Sequence, residues 1–278
     1  ITFGDRHACG LTDAGIVKCW GRNNHGQIGT SGGDKNAPVE ISFGSTLTAT
    51  SIYAGGHHTC AILSDGSVKC WGRNVFGQLG IGTTANTNTP TTINTLGAGR
   101  SAISLALAWD STCALLDDGS VKCWGNREHG QLGDGTNAGQ TSSPPSNAIS
   151  FGTGRTAKMI TAGEFHYCAI LDNDEIMCWG DGANGKLATG SVADQTTPTA
   201  TTGSFGVGRY AVYINAGYHH TCAILNNGKA ICWGSDASGQ LGNGNTAGDI
   251  LSLHTGYLGW NAMAISAGGS HTCMQVDK

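Results

Sequence analysis

Paired cysteines are the residues of this sequence whose types and spacing most clearly imply chemistry. Within each of five pairs, the two cysteines stand ten residues apart. The pairs are Cys9 and Cys19, Cys60 and Cys70, Cys113 and Cys123, Cys168 and Cys178, and Cys222 and Cys232. Two nearby thiols form a disulfide or hold a metal ion, and zinc sites favour ligands only a few residues apart. Because that short spacing is absent, we predict five disulfides, with thiol or metal chemistry as the alternative.

A short turn between the paired cysteines explains their spacing. Ser64, Asp65 and Gly66 have the composition of a three-residue hairpin loop, in which the glycine supplies the positive φ. Counting outward from this loop places Cys60 opposite Cys70 in a non-hydrogen-bonded pair, where Cα atoms approach to roughly 4.5 Å. The turn position holds Gly15, Gly119 and Gly228 in other copies, and in the fourth copy Asp174, which tolerates positive φ.

The cysteine pairs mark a repeated unit that must supply the strands around each pair. First cysteines of successive pairs are 51, 53, 55 and 54 residues apart, and a sixth copy begins 51 residues later at Cys273. A period near 50 residues with four short strands per unit is typical of a propeller blade. We therefore predict an all-β fold, a single β-propeller domain over residues 1–278 with five complete repeats and a partial sixth. The predicted repeats are 1–50, 51–103, 104–158, 159–212, 213–263 and 264–278.

Longer motifs extend the repeat. The stretch from His58 to Leu63, then Cys70-Trp71-Gly72-Arg73-Asn74, then Gly77-Gln78-Leu79-Gly80, resembles repeats of the regulator of chromosome condensation family. Copies of the last motif begin at Gly26, Gly130 and Gly239, whereas the fourth repeat diverges as Gly185-Lys186-Leu187-Ala188. The resemblance covers essentially the whole chain and implies a propeller of four-stranded blades. It does not imply nucleotide exchange on a small GTPase, because the matched motifs are structural.

Composition and cysteine content indicate an extracellular or cell-surface protein. Glycine accounts for 45 of 278 residues, charged residues for 12%, and the formal net charge is −4. Several disulfides belong outside the cytosol. No signal peptide precedes Ile1 and no apolar run approaches transmembrane length, so we expect a mature secreted chain. The lysines form no block, which argues against a nucleic-acid partner.

Recurring aromatic and imidazole side chains have structural interpretations. The tryptophans after the second cysteines are expected to pack between blades: Trp20, Trp71, Trp124, Trp179 and Trp233. A histidine recurs at one strand position, with Ser111 in the third repeat: His7, His58, His166, His220 and His271. We expect these imidazoles to bond backbone within their blades rather than to form a metal ring.

Catalysis is not predicted, because it needs acid, base or nucleophile residues at one unique site, and here the polar residues recur with the repeat. We therefore expect a non-enzymatic protein without a cofactor. A structural Ca²⁺ is the alternative to this expectation. Residues 133–137, which include Asp134, resemble half of a calcium-binding loop.

Binding residues are predicted where the repeats differ. Two unconstrained residues precede each second strand, and equivalent positions of a propeller share one rim. The predicted rim comprises Asp5, Arg6, His57, Trp109, Asp110, Glu164, Phe165, Tyr218 and His219. Aromatic side chains with charges around them are typical of interaction hot spots, although loop tips also vary without function.

The incomplete sixth copy supplies the second functional expectation. Its strand lacks a returning Cys-Trp-Gly partner, so Cys273 is the odd cysteine and is expected to take part in an intermolecular bond. We therefore predict an extracellular binding or scaffold module that self-associates, forms filaments or attaches to a surface assembly, with protein partners. Two alternatives remain: a soluble inhibitor or receptor-binding propeller that uses the rim, and a carbohydrate-binding or enzymatic propeller.

Overall fold

The computed structural model describes residues 1–44, 46–244, 248–253, 258–259 and 261–277. Lys278, the last residue of the predicted partial repeat, lies outside the described residues. The chain divides into two compact units, the first formed by Ile1–Glu128 and Ala138–Ala148 and the second by His129–Asn137 and Ile149–Lys278. No helix among the described residues is long and apolar enough to cross a lipid bilayer.

The first unit contains three antiparallel sheets, each with four strands in chain order. Each sheet corresponds to one sequence repeat. The strands are β1 Thr2–Phe3, β2 His7–Leu11, β3 Val17–Gly21, β4 Lys35–Ile41, β5 Ala49–Ala54, β6 His58–Leu63, β7 Val68–Gly72, β8 Thr87–Thr92, β9 Ala102–Leu107, β10 Ser111–Leu116, β11 Val121–Asn126 and β12 Gln140–Thr141.

The second unit contains sheets of four, three and two described strands. In the fifth repeat, an isolated bridge between Gly234 and Ile250 stands in place of a fourth strand among the described residues. The elements are β13 Ala157–Ala162, β14 His166–Leu171, β15 Ile176–Gly180, a 3₁₀ turn at Ala183–Gly185, β16 Gln195–Ala200, β17 Ala211–Ala216, β18 His220–Leu225, β19 Ala230–Gly234, β20 Ala262–Ala267 and β21 Thr272–Val276.

The predicted hairpin register is confirmed. The Leu63 amide donates to the Ser67 carbonyl at 2.9 Å, the Gly66 amide donates to the Leu63 carbonyl at 2.9 Å, and Gly66 has φ of 80°. Cys60 lies directly opposite Cys70, and their Cα atoms are 4.1 Å apart. All five predicted disulfides form, with Cα–Cα distances of 4.0 to 4.1 Å. Asp174 accepts φ of 68° at the turn position of the fourth repeat.

The second strand of each hairpin unit is buried on both faces. In β6, Ala61 and Leu63 pack in a core cluster with Val17 of the preceding repeat. On the opposite face, Cys60 and Ile62 pack in a cluster with residues of the following repeat. This arrangement follows from strand alternation, since successive side chains point to opposite faces. Each repeat therefore completes its core only by stacking on its neighbours.

Tryptophans lock consecutive repeats together. The Trp71 indole N–H donates to the Gln27 carbonyl of the preceding repeat at 3.0 Å, and the ring is fully buried. Trp124, Trp179 and Trp233 make the equivalent bond to the preceding repeat at 3.0 to 3.1 Å. The predicted packing between blades is confirmed for these four side chains. Trp20, in the first repeat, is half-buried.

Candidate functional site

The recurring histidines join neighbouring repeats, which corrects the expectation that they bond backbone in their own blades. The Nε2 atoms of His7, His58, His166 and His220 lie 2.8 to 3.0 Å from threonine Oγ1 atoms in the following repeats. The Thr59 hydroxyl donates its proton to the Gln27 carbonyl at 2.9 Å. His7 Nε2 must therefore be the donor in its bond to Thr59 Oγ1. The imidazoles therefore serve in hydrogen-bond chains between repeats.

Burial keeps these histidines neutral. It lowers the pKa of His58 to about 3, reinforced by the neighbouring His7, His57 and Arg73. Burial also lowers the pKa of His7 to about 4 and that of His220 to about 4. The Asp5 carboxylate acts to raise the pKa of His7 and the Asp236 carboxylate that of His220, but burial outweighs both, so a protonated imidazole is unfavourable at these positions.

A glycine makes room for each ring. A Cβ atom at Gly55 would lie 2.6 Å from His58 Cε1 and 2.5 Å from the Ala108 carbonyl oxygen. The equivalent glycine is replaced only in the third repeat, by Ala108, and that repeat carries Ser111 instead of histidine. A histidine ring therefore occurs where the residue three positions earlier is glycine, and the smaller Ser111 occurs where that residue is Ala108. These recurring residues build the scaffold, and binding chemistry must be sought in the loops.

The first unit carries a loop cluster that combines imidazole, indole and guanidinium groups. The His57 ring lies 5.3 Å from the His25 ring and 5.2 Å from the Trp109 ring. Asp5, Arg22 and Arg73 interact electrostatically with His57. Arg6 forms an ion pair with Asp5, and Asp110 forms one with Arg73. We call this group the first loop cluster. It contains five of the nine predicted rim residues in a mostly half-buried, cation-rich patch.

Burial and neighbouring charges shift the pKa values of several groups in the first loop cluster. Burial raises the pKa of Asp110, while its ion pair with Arg73 acts in the opposite direction. Gln78 Nε2 also donates to Asp110 Oδ1 at 3.0 Å, so this predicted rim residue is buried and holds Arg73 in place. Burial and then Arg73 and Arg22 lower the pKa of His25. The cluster is therefore arranged to present guanidinium and neutral imidazole groups.

The second unit carries a loop cluster with the opposite charge character. The Phe165 ring lies 5.3 Å from the His129 ring, and Glu164 lies 3.6 Å from His219 Nε2. The half-buried Tyr218 ring is 6.4 Å from the His219 ring. Asp181 and Asp194 complete the group, which we call the second loop cluster. Burial raises the pKa of Glu164, whereas His219 and Lys186 favour its charged form.

His129, Asp181 and Asp194 bring three metal-ligating atoms within 4.8 Å of one another. The two carboxylate oxygens of Asp181 and the two of Asp194 each already have a hydrogen-bond donor within reach. Asp194 accepts the Gly182 amide at 3.1 Å and faces His129 Nδ1 at 3.1 Å. Asp181 accepts the Ala183 amide at 2.9 Å and the buried Lys186 ammonium. Burial is the largest single effect and acts to raise the pKa of Asp181, but the bonds from Lys186 and the Ala183 amide, together with the charges of Lys186 and His129, lower the pKa overall.

The divergent fourth repeat explains this network. In other repeats a glutamine side chain accepts a nearby amide, as Gln78 Oε1 accepts Phe76 N–H at 3.0 Å. The lysine side chain at the same position, Lys186, has no oxygen that could accept an amide, and its ammonium group donates to Asp181 instead. The group therefore functions as an internally satisfied ion-pair network.

The loop for which a structural Ca²⁺ was the alternative contains Asp134. Its side chain is exposed, and its Oδ1 faces the Thr136 amide at 3.4 Å.

Six members of the loop clusters are not among the predicted rim residues: Arg22, His25, Arg73, His129, Asp181 and Asp194. His25 and His129 share one repeat position, directly before Gly-Gln, where Phe76 also stands. Variation at this position was the available signal. The loop that follows Trp-Gly lies far in sequence from the residues that precede the next histidine strand. The repeat pattern alone therefore does not predict that these two loops meet.

The partial sixth repeat forms a two-stranded sheet of β20 and β21. Cys273 lies on β21, is exposed and has a free thiol. A groove of about 400 Å³ lies beside this strand, lined by residues 238–242 and 270–272 together with Leu258 and Met274. In the five complete hairpins, the cysteine at the position of Cys273 faces a cysteine on the returning strand.

Similar proteins share the repeat and the fold. Two models of the regulator of chromosome condensation (RCC1) repeat match the chain, one over residues 1–27, 49–78, 103–131, 159–186 and 211–240, the other over 15–62, 65–115, 118–170 and 173–224. The ultraviolet-B receptor UVR8 of Arabidopsis thaliana is 28% identical over 247 residues, which cover 88% of this chain and 55% of that protein. This chain thus spans about half the length of that relative.

Solved structures agree at the level of the fold. The crystal structure of human WBSCR16 matches with a TM-score of 0.87 at 22% identity, covering 99% of this chain and 71% of that one. Yeast RCC1 (Prp20), solved bound to Kap60, matches with a TM-score of 0.81 at 21% identity, covering 99% and 67%. The repeat matches, the all-β sheets and the interlocking tryptophans lead to one conclusion: this chain belongs to the regulator of chromosome condensation (RCC1) repeat family and has its β-propeller fold.

Proposed function

We propose that this chain is a non-catalytic, protein-binding propeller of an oxidising, extracellular compartment, and that it binds its partner through the two loop clusters. The observation that carries the proposal is that residues varying between repeats come together, in each unit, as half-buried rings surrounded by charges. Five disulfides support the compartment, because such bonds persist where thiols are not kept reduced.

The first loop cluster is suited to an acidic or aromatic surface. The Trp109 and His57 rings offer apolar area at little cost in side-chain entropy, and guanidinium groups bind carboxylates in a defined geometry. Arg73 also lies over the Phe76 ring, with its Cζ 5.4 Å from the ring centroid, which holds its side chain in position. A pre-positioned arginine loses less entropy on binding.

The second loop cluster is suited to a basic surface. The Glu164 carboxylate lies beside His219, and the Asp194 carboxylate lies beside His129, whose ring packs near Phe165. The third carboxylate, Asp181, is neutralised by Lys186. Complementary charge chiefly sets orientation and association rate, while the rings supply the affinity. Binding of proteins by relatives supports the same class of function, since yeast RCC1 was solved bound to Kap60.

Paired variants test the loop clusters. Trp109→Ala with His57→Ala removes the rings of the first cluster, and Phe165→Ala with Tyr218→Ala removes those of the second. Tyr210→Ala is the matched control, since Tyr210 is 40% exposed and its carbonyl accepts the Asn226 amide at a hairpin turn, outside both clusters.

Quantitative capture of extracellular proteins, followed by cross-linking mass spectrometry, should show a partner bound by the unaltered chain and by Tyr210→Ala. Both paired variants should lose it without a change in melting temperature. Retention by both paired variants, or loss by the control, would contradict the assignment to the loop clusters.

A second candidate function is assembly through the outer edge of β21, with copies of the chain or with a surface structure. The exposed free thiol of Cys273 favours it, because an odd cysteine in an oxidising compartment is a candidate for an intermolecular disulfide. Size-exclusion chromatography with light scattering tests self-association directly. A concentration-dependent increase in mass that Cys273→Ser weakens is expected, and a monomer at all concentrations would exclude assembly of copies.

A further inference from the structure

We propose that the turn after Trp233-Gly234 in the fifth repeat binds a calcium ion through the buried carboxylate of Asp236 and the exposed carboxylate of Asp249. This site is independent of the loop clusters and of the partner that they bind. It is also distinct from residues 133–137 of the third repeat, the other loop considered for Ca²⁺. Equivalent turns of the same chain carry hydrogen-bond donors or a positive charge that the fifth repeat lacks.

In the first two repeats, an asparagine closes this turn with both ends of its side-chain amide. Asn23 Oδ1 accepts the Ile28 amide at 2.9 Å, and Asn23 Nδ2 donates to the carbonyls of Thr30 and Gly32 at 2.9 and 2.8 Å. Asn74 makes the same three bonds in the second repeat. Both asparagines are buried, and all of their side-chain partners belong to their own repeat.

Asp236 takes the place of this asparagine in the fifth repeat. Its Oδ1 accepts the Leu241 amide at 3.0 Å, as Asn23 Oδ1 accepts the Ile28 amide. The matching bond places Asp236 Oδ2 at the position of the donating asparagine nitrogen, directed into the loop. Asp236 is fully buried, and within the described part of the chain its Oδ2 has no hydrogen-bond partner. A buried carboxylate oxygen without a donor is unfavourable, so this position needs a positive group.

A second carboxylate lies at the same turn. Asp249 Oδ1 faces the Asp236 amide at 3.4 Å, as Asp34 Oδ1 accepts the Asn23 amide at 2.9 Å in the first repeat. The other oxygen of Asp249 accepts the neutral Asn184 side chain at 3.0 Å. Because Asp249 is exposed, solvent ions can reach the turn. Two carboxylates are thus close together, one of them buried.

The fourth repeat balances two carboxylates at this turn with a lysine. Asp181 and Asp194 lie there, and the buried Lys186 ammonium forms an ion pair with Asp181. In the fifth repeat, Gln240 stands at the position of Lys186 and carries no charge. The substitution that neutralises the fourth turn is therefore missing from the fifth.

No other side chain supplies the positive charge. Among the residues that the structure describes, no lysine or arginine forms an ion pair with Asp236 or Asp249. Burial lowers the pKa of His220 to about 4 although Asp236 acts to raise it, so this imidazole is neutral at pH 7. A cation from solution supplies the missing charge.

Calcium suits the oxygen atoms of this turn. Its usual ligands are carboxylate oxygens, backbone carbonyls and water in flexible loops, whereas Mg²⁺ needs a near-ideal octahedron and keeps most of its water. Carbonyls are the partners of the equivalent side-chain atom in the first two repeats, so a cation beside Asp236 Oδ2 replaces the amide hydrogens of asparagine. With two carboxylates, we expect a Kd of about 10⁻⁴ to 10⁻³ M, as in extracellular calcium modules.

Calcium titration of the full chain, after removal of ions with a chelator, tests the site. The unaltered chain should bind Ca²⁺ in isothermal titration calorimetry, and its melting temperature should rise as CaCl₂ is added. Asp236→Asn restores the amide of the first two repeats. This variant should fold, lose the calcium response, and melt without Ca²⁺ at least as high as the unaltered chain does without it.

Asp249→Asn tests the second ligand. The second repeat has Asn86 at this position, where its Oδ1 accepts the Asn74 amide at 2.7 Å, so the turn tolerates the change. The variant should weaken calcium binding by more than about tenfold, because affinity depends on the number of charged ligands.

Asp134→Asn is the matched control, since it removes a carboxylate from the other candidate loop and should leave calcium binding unchanged. Loss of binding by this control, or unchanged binding by Asp236→Asn, would overturn the assignment to the fifth repeat. Absence of binding by the unaltered chain at about 10 mM CaCl₂, well above the expected Kd, would also overturn it. Equal stabilisation by NaCl at the same ionic strength would indicate screening of the carboxylates and would contradict a calcium site.

Discussion

Lowering the pH from 7 to 5 should destabilise this protein through its buried histidines. The His58 ring is fully buried, its Nε2 is 2.9 Å from Thr112 Oγ1, and burial lowers its pKa to about 3. In the unfolded chain the same group has its ordinary pKa near 6.5. Between these values the unfolded state binds more protons than the folded state, so stability falls as the pH falls.

The magnitude follows from the same values. Below pH 6.5 the free energy of unfolding decreases by about 1.4 kcal/mol per pH unit for each such group, until the folded pKa is reached. At pH 5 the loss from His58 alone is therefore about 2 kcal/mol. His7 and His220, each with a pKa of about 4, add losses of similar order.

His58→Gln isolates this contribution. A glutamine amide still donates to Thr112 but does not titrate, so the variant should lose about 2 kcal/mol less than the unaltered protein between pH 7 and pH 5. His271→Ser is the control, because His271 occupies the same repeat position but is exposed. Guanidinium chloride unfolding at each pH gives the free energies. Parallel pH dependences for the unaltered protein and His58→Gln would refute the reasoning.

Three further predictions concern the scaffold and the loops. Replacing Cys60 and Cys70 together by serine should lower the free energy of unfolding by about 2 to 3 kcal/mol without abolishing the fold, as denaturant titration would show, because stacking between repeats remains. Gly55→Ala should cost about 1 to 3 kcal/mol through overpacking against the imidazole, whereas Gly33→Ala, with open space around its Cβ position, should be nearly neutral in the same titration. Phe165→Ala should leave the melting temperature nearly unchanged in calorimetry, since its half-buried ring sits in a loop; a large decrease would place it in the core.

The hairpins and their disulfides could be predicted from the sequence because they depend on local geometry. Strand alternation has a period of two and the turn has three residues, so Cys60 must face Cys70 once Gly66 closes the loop. The repeat period likewise predicted four short strands per unit, and the second repeat has its central hairpin strands at His58–Leu63 and Val68–Gly72. Family membership follows from the same motifs, since they encode the blade.

The fourth strands were less predictable. In the second repeat the fourth strand is Thr87–Thr92, and in the third repeat the equivalent strand shortens to Gln140–Thr141. These outer strands carry mostly polar, half-exposed side chains, so no hydrophobic pattern fixes their limits. The predictions of a single domain and of the individual rim residues stay predictions.

The sequence by itself determined the unit that is repeated, because each hairpin is specified by residues within about ten positions of one another. Only the tertiary structure decided what joins the units: the imidazole of His58 meets Thr112, and the indole of Trp71 meets the Gln27 carbonyl, across 54 and 44 residues. It also decided that Trp71 is buried while Trp20 is only half-buried. The physical reason is that the burial of each tryptophan depends on the repeat that packs against it. Residues 17–23 and 68–74 have the same sequence, so that sequence cannot specify which of the two tryptophans is covered.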